Sequence, residues 1–234
     1  MNDPSLIPPT LAQATRSTLA DPGAVPDAVR VQMLATEHWG LLATRSMMWN
    51  EAFSRAAMFI TVLSAAVVAL ALVAQVTAFG PAFRLFALLI LPIVLLVGVA
   101  TVIRLGDINS DDFQWVLGMN RLRHAYLELA PELEPYFVTS HYDDEAGVMA
   151  SYGLNAILRV SRILAGTPTL VGAINVVVVG VLAALIADTA GASTLIDVIA
   201  GIAAALVAAF GFGAQAYITI QNTRRGHQSR FPRA

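Results

Sequence analysis

The sequence predicts an all-α, polytopic membrane protein with four transmembrane helices in two hairpins and a cytoplasmic helical layer. Three observations carry that expectation. The chain is 57% hydrophobic and only 13% charged, with a mean hydropathy of +0.68, an excess of apolar side chains over what an ordinary soluble domain holds. Four runs, Ala56–Ala74, Leu85–Ile103, Pro168–Ala187 and Thr194–Ala216, each supply the roughly 20 helical residues that cross a hydrocarbon core. All 14 basic residues are arginines, and every one except Arg84 lies before the first run, between the second and third, or after the fourth. The positive-inside rule turns that split into a topology with both termini and the central segment in the cytoplasm of a bacterial inner membrane. Only two short turns, carrying Arg84, Asp188 and Asp197, are then external.

Residues 1–26 contain Pro4, Pro8, Pro9, Pro22 and Pro26, show little hydrophobic periodicity and have no apolar stretch behind a basic start. They read as a disordered tail without a cleaved signal peptide. Segment 27–104 reads as a cytoplasmic helix that continues into the first hairpin. Asp27 follows Pro26 and can cap the start, and no proline interrupts the chain before Pro81. Ala35, Trp39, Leu42, Ser46, Trp49 and Phe53 recur at steps of four and three, which predicts one packed face. Gly40 marks a place for a bend, and Trp49 and Phe53 stand at the depth that aromatic rings favour beside a bilayer. Pro92 is expected to kink the second span, whose bulky "FALLILPIVLLVG" predicts a lipid-facing helix.

In segment 105–167, the stretch "GDINSDDF" is expected to end one helix and start another. Ser110 would be the cap, with Asp111 and Asp112 in the first turn, where the helix dipole favours anions. The new helix carries a second stripe, Trp115, Met119, Leu122, Tyr126 and Leu129. A third helix is expected from about Asp143, with Met149, Tyr152, Ala156, Val160 and Ile163 on one side and Gly166 at its end. Thr167 then caps the third span and Pro168 occupies its first position. Segment 168–220 is the second hairpin, and 221–234 is a basic cytoplasmic tail.

The chemically densest stretch is "SHYDDEAG", from Ser140 to Gly147. His141, Asp143, Asp144 and Glu145 are candidate metal ligands, and His124 is placed to join them through the fold. Their spacing matches neither H-E-x-x-H nor a calcium loop. A capping box accounts for the same residues, with Ser140 as N-cap, Asp143 three residues on, and Asp144 and Glu145 in the first turn. The absence of cysteine excludes disulfides, thiolate nucleophiles and Cys-ligated zinc or iron–sulfur centres. No phosphate loop, nucleophile elbow or dinucleotide fingerprint is present. No catalytic residue and no cofactor is therefore expected, and a net charge of −2 argues against a nucleic-acid partner.

Asn175 is the one amide in the third span and a candidate pore-facing group. Two rows of small residues at four-residue spacing predict close helix packing: Gly201, Ala205, Ala209 and Gly213 in span four, and Ala57, Thr61, Ala65 and Ala69 in span one. The cytoplasmic aromatic and apolar positions Trp39, Trp49, Phe53, Trp115, Met119, Leu122 and Tyr126 are the expected interface of the polar helices.

The stretches "TRSMMWNEAFSRAAMFITVLSAAVVALALVA" and "GMNRLRHAYLELAPELEPYFVTSHYDDEAG" resemble segments of a family of uncharacterised bacterial integral membrane proteins, a resemblance that brings no activity with it. The layout is also similar to the SLATT class of two-span membrane effectors, thought to form pores, from which this chain is expected to differ in having four spans and no attached sensor domain. The expected function is a non-enzymatic, homo-oligomeric pore or channel-like protein in contact with the lipid bilayer. The alternatives are a scaffold or accessory subunit that holds a protein partner through its cytoplasmic helices, and a cytoplasmic-face metalloenzyme.

Overall fold

Helix α1, Asp27–Thr77, runs unbroken for 51 residues, and α2, Pro81–Leu129, returns for 49. In this computed structural model, which describes residues 25–153 and 166–233, they are followed by a 3₁₀ helix at Pro131–Tyr136 and a short α3 at Glu145–Ser151. The second hairpin is α4, Thr167–Thr189, and α5, Thr194–Arg225. No strand occurs among the described residues, and four helices are long and apolar enough to cross a membrane. Most of the expected tail at 1–26, and Ala156, Val160 and Ile163 of the third polar helix, lie outside the described residues.

At about 1.5 Å per residue, α1 and α2 are each roughly 75 Å long, more than twice the depth of a hydrocarbon core. Each therefore continues from an apolar span into a shared polar layer. The turn between them is tight: Ala78 and Phe79 take left-handed φ values of 46° and 59°, Gly80 is the N-cap and Pro81 opens α2. The second turn uses Gly191 at φ 81°. An ion pair of 2.9 Å between Arg84 and Asp188 ties the two turns together, joining the charges that the sequence placed on this side.

The helices pack in chain order, α1 along α2, α2 along α4 and α4 along α5, with α5 touching α2 only briefly. Helix α2 is thus central, which corrects the expectation that span two mainly faces lipid. One side supplies the contact, with Ala87, Leu91, Val94, Gly98 and Thr101 buried, while Leu85, Leu89, Ile93 and Leu96 point outward. Pro92 is carried inside α2 without ending it. The "GDINSDDF" stretch does not break the helix either. Leu105, Ile108, Asp112, Val116 and Met119 are all buried at helical spacing, so packing against α1 overrides the local breakers. The Ser110 hydroxyl bonds the Gly106 carbonyl in the same helix instead of capping a new one.

The stripe predicted on α1 is rotated from the observed contact. Leu41, Ala52 and Phe59 are buried against α2, whereas Trp39, Leu42 and Phe53 are exposed and Ser46 also faces outward. Trp49 alone of the predicted aromatics reaches inward. On α2 the second stripe does meet α1: Met119 is buried, the Trp115 indole donates to Met48 Sδ at 2.7 Å, Tyr126 stacks on His38, and Leu122 is half-buried.

Gly201 and Ala205 do form a close crossing, but with α4. A Cβ on Gly201 would lie 3.0 Å from the Gly180 carbonyl oxygen, and one on Gly180 would lie 3.1 Å from that of Gly201. Backbones can approach this closely only where side chains are missing. Ala209 is exposed and Gly213 meets nothing within 4 Å. On α1, Ala57, Thr61 and Ala65 are exposed and Ala69 is half-buried. Within one chain, the span-one and span-four rows therefore do not form a shared seam.

Asn175 sits at the α2–α4 crossing, fully buried, with its amide nitrogen donating to the Val171 carbonyl at 2.8 Å. Its side chain fills the space where Gly98 lacks a Cβ, and its Oδ1 has no hydrogen-bond partner. Within the chain this amide is a packing group rather than a lining of a wet path.

Candidate functional site: two buried carboxylates in the polar layer

The polar layer is organised by Asp112 and Asp143, whose side chains are 3% and 0% exposed. Isolated carboxylates cannot be buried ionised without partners. Both are saturated with donors brought from distant parts of the chain.

Asp112 lies one helical turn beyond Ile108 on the buried side of α2. Arg45 of α1 donates through Nε to Oδ1 at 2.6 Å and through Nη2 to Oδ2 at 3.2 Å, the forked geometry that suits a guanidinium and a carboxylate. The Trp49 indole donates to Oδ1 at 3.3 Å and the Tyr152 hydroxyl to Oδ2 at 2.7 Å. Burial, reinforced by the Asp112 charge, pushes the Tyr152 phenol well above its ordinary range, so this donor keeps its proton. One carboxylate thus fastens α1, α2 and the chain just after α3. Nearer the span, Glu51 receives Arg104 through two bonds of 2.9 Å and Arg55 through one of 2.8 Å. Those guanidiniums hold its carboxyl at about 2.

Asp143 answers the question raised by "SHYDDEAG". The capping-box expectation assigned it to a helix start, but Asp144 is the N-cap of α3, accepting from the Gly147 N–H at 2.6 Å. Ser140 accepts from the Tyr142 N–H in a local turn. Asp143 instead grips the C-terminal segment. Its carboxylate accepts from the Ser229 hydroxyl, from the Arg230 N–H at 2.9 Å, from the Phe231 N–H at 2.8 Å and from Arg121 Nε at 2.7 Å. Its own N–H donates to the Phe231 carbonyl at 3.2 Å, and the His227 ring bonds its carbonyl oxygen. Burial alone would raise this carboxyl, but the hydroxyl, the backbone N–H groups and the guanidinium outweigh it and hold it well below the usual carboxylate range.

Surrounding contacts extend the grip. Phe231 stacks on His124 with ring centroids 4.1 Å apart, and the Arg233 guanidinium lies 5.3 Å from the centre of the Tyr142 ring. The Arg233 N–H donates to Asp144, and Arg224 pairs with Glu145 at 3.3 Å. Beneath the loop, fully buried Asn120 donates to the Tyr142 carbonyl and accepts from Arg123 and Ser151.

The proposed ligands therefore have other uses. Asp143 and Asp144 are committed to the tail and to α3, Glu145 to Arg224, and His141 packs on the Tyr142 ring at 4.1 Å. His124 and His141 do approach, with centroids 6.0 Å apart, beside an open cleft of about 260 Å³ that Glu128 and Glu134 also line. No group of three or more potential ligands able to hold a metal occurs among the described residues.

Sequence reasoning missed Arg45, Asn120, Arg121 and the tail residues Ser229 to Phe231 as partners. Asp112 had a legible signal, because it continues the spacing of Leu105 and Ile108 toward Val116 and Met119. The tail groups that donate to the Asp143 carboxylate lie 86 to 88 positions away, beyond any local pattern. No protein-family model, curated protein or solved structure matches the chain.

Proposed function

We propose that this chain is a non-enzymatic, oligomeric platform of the bacterial inner membrane. Its four spans act as the anchor, and the continuations of α1 and α2 hold a rigid helical layer in the cytoplasm, where a protein partner docks. The observation that carries this reading is the pair of saturated carboxylates, Asp112 and Asp143. They spend buried charge on fixing one arrangement of α1, α2, α3 and the tail. Buried ionic groups add little net stability and are best suited to specifying one geometry over others. Trp39 at 72% and Phe53 at 58% exposure give the layer an outward apolar face.

A channel-like protein is the second reading. It is favoured by Thr61 and Ser64, whose hydroxyls stand on the exposed side of α1 within the apolar span. They would face a shared axis if several copies closed around it. Spin labels on Glu37→Cys and Glu132→Cys, measured in vesicles after dilution with unlabelled protein, separate the readings. The platform predicts one narrow distance distribution and ion flux no greater than in protein-free vesicles. A broad distribution, or flux that Thr61→Leu and Ser64→Leu abolish, would move the conclusion to the channel.

A further inference from the structure

Helix α1 has a second face that nothing among the described residues covers. From Val29 to Gln75, residues taken in alternating steps of four and three are all exposed, on the side turned away from α2. Met33, Met47, Ala57, Thr61, Ser64 and Val68 are among them. A strict seven-residue repeat stays on one side only of a supercoiled helix. Ala52, Phe59 and Ala66, seven residues apart and all buried against α2, show that repeat over the middle of α1.

Lipid does not account for this face. It is roughly 70 Å long at about 1.5 Å per residue, whereas a hydrocarbon core covers about 30 Å. Its polar-layer half still carries Val29, Met33 and Met47, flanked by Trp39 and Phe53. The face is also uncharged along its whole length, although the helix contains Arg30, Glu37, Arg45, Glu51 and Arg55. Arg45 and Glu51 are turned to α2, where they pair with Asp112 and Arg104.

We propose that α1 pairs with α1 of a second copy, in parallel, about a two-fold axis normal to the membrane. The inference rests on the membrane reading above, because copies inserted with the same orientation can meet only in parallel. Parallel two-fold pairing sets each residue of the stripe against its own copy, so a charge anywhere on it would face an identical charge. A stripe free of charge from Val29 to Gln75 meets that requirement; a dissimilar partner would not impose it. Within the span, Ala57, Thr61 and Ser64 are small enough to let the two backbones approach. The Thr61 hydroxyl already bonds the Ala57 carbonyl, so pairing leaves it satisfied.

The chain has no cysteine, so single replacements report without background. Purified full-length protein carrying Met47→Cys or Ala57→Cys, embedded in phosphatidylethanolamine–phosphatidylglycerol vesicles and oxidised, should form covalent dimers at least tenfold faster than Gln114→Cys or Leu89→Cys. Those controls are equally accessible positions on α2. Equal rates at stripe and control positions, or no dimer at the stripe, would overturn the pairing. Alkaline carbonate treatment of the same vesicles separates the two levels of failure. Protein that stays embedded without cross-linking refutes the pairing alone, and protein that is released refutes the membrane reading beneath it.

Discussion

Replacing Asp112 with alanine is expected to cost about 3–5 kcal/mol of stability in the polar layer, because it leaves the Arg45 guanidinium inside the layer without its carboxylate. Trp49 and Tyr152 lose their acceptor at the same time. Hydrogen exchange should accelerate in residues 28–50 of α1 and in α3, while the spans stay protected. The double replacement Asp112→Leu, Arg45→Met should restore only the part owed to the unpaired guanidinium, since it removes both members of the ion pair but returns no acceptor to Trp49 and Tyr152 at this position. If the single replacement leaves exchange unchanged, Asp112 does not fasten the layer.

Asp143→Ala is expected to free the tail. The carboxylate gathers two backbone N–H groups, a hydroxyl and a guanidinium, and hydrogen bonds to a charged group contribute about 1.5–3 kcal/mol each net of water, values that do not add in a shared network. Arg121 is 31% exposed, so solvent screens part of its share. A net loss of about 3 kcal/mol would speed tryptic cleavage after Arg230 roughly 100-fold, if cleavage tracks the open population. The pH dependence has a fixed sign. The carboxyl titrates lower with the tail docked than free, so its contribution is complete above its free value, near 4. It is lost as the pH falls below that value toward the docked one. Tail protection should be flat from pH 7 down to about 4.5 and decline below. Protection that already fails between pH 7 and 5 would assign the latch to another group.

The apolar spans were legible because hydropathy over about 20 residues is a local property, and four helices of the described residues are long and apolar enough to meet that description. The turns were legible only as the short gaps between the runs, and the residues that build them, Gly80, Pro81 and Gly191, are findings of the structure. What failed was the weighing of local signals against distant packing. Gly106, Asp107, Asn109 and Ser110 look like a helix break, but the apolar row beside them continues through the stretch and decides the outcome. On α1, the spacing of Trp39, Trp49 and Phe53 predicts a packed face, whereas the contact uses Leu41, Met48 and Ala52 on another side. Aromatic residues mark interfaces of any kind, so they do not distinguish a face packed within the chain from one left open to a partner. The role of Asp143 was hidden for a different reason: its neighbours fit a capping box, and the residues it binds come from the far end of the chain.

The central claim, four spans with the polar layer and both ends of the chain on the cytoplasmic side, is tested most directly by labelling single cysteines with a membrane-impermeant maleimide in right-side-out spheroplasts. Ser193→Cys, in the turn between α4 and α5, should label in intact cells, and Glu132→Cys, in the polar layer, only after permeabilisation. Labelling of Glu132→Cys in intact cells, or of both positions from the same side, would contradict the account.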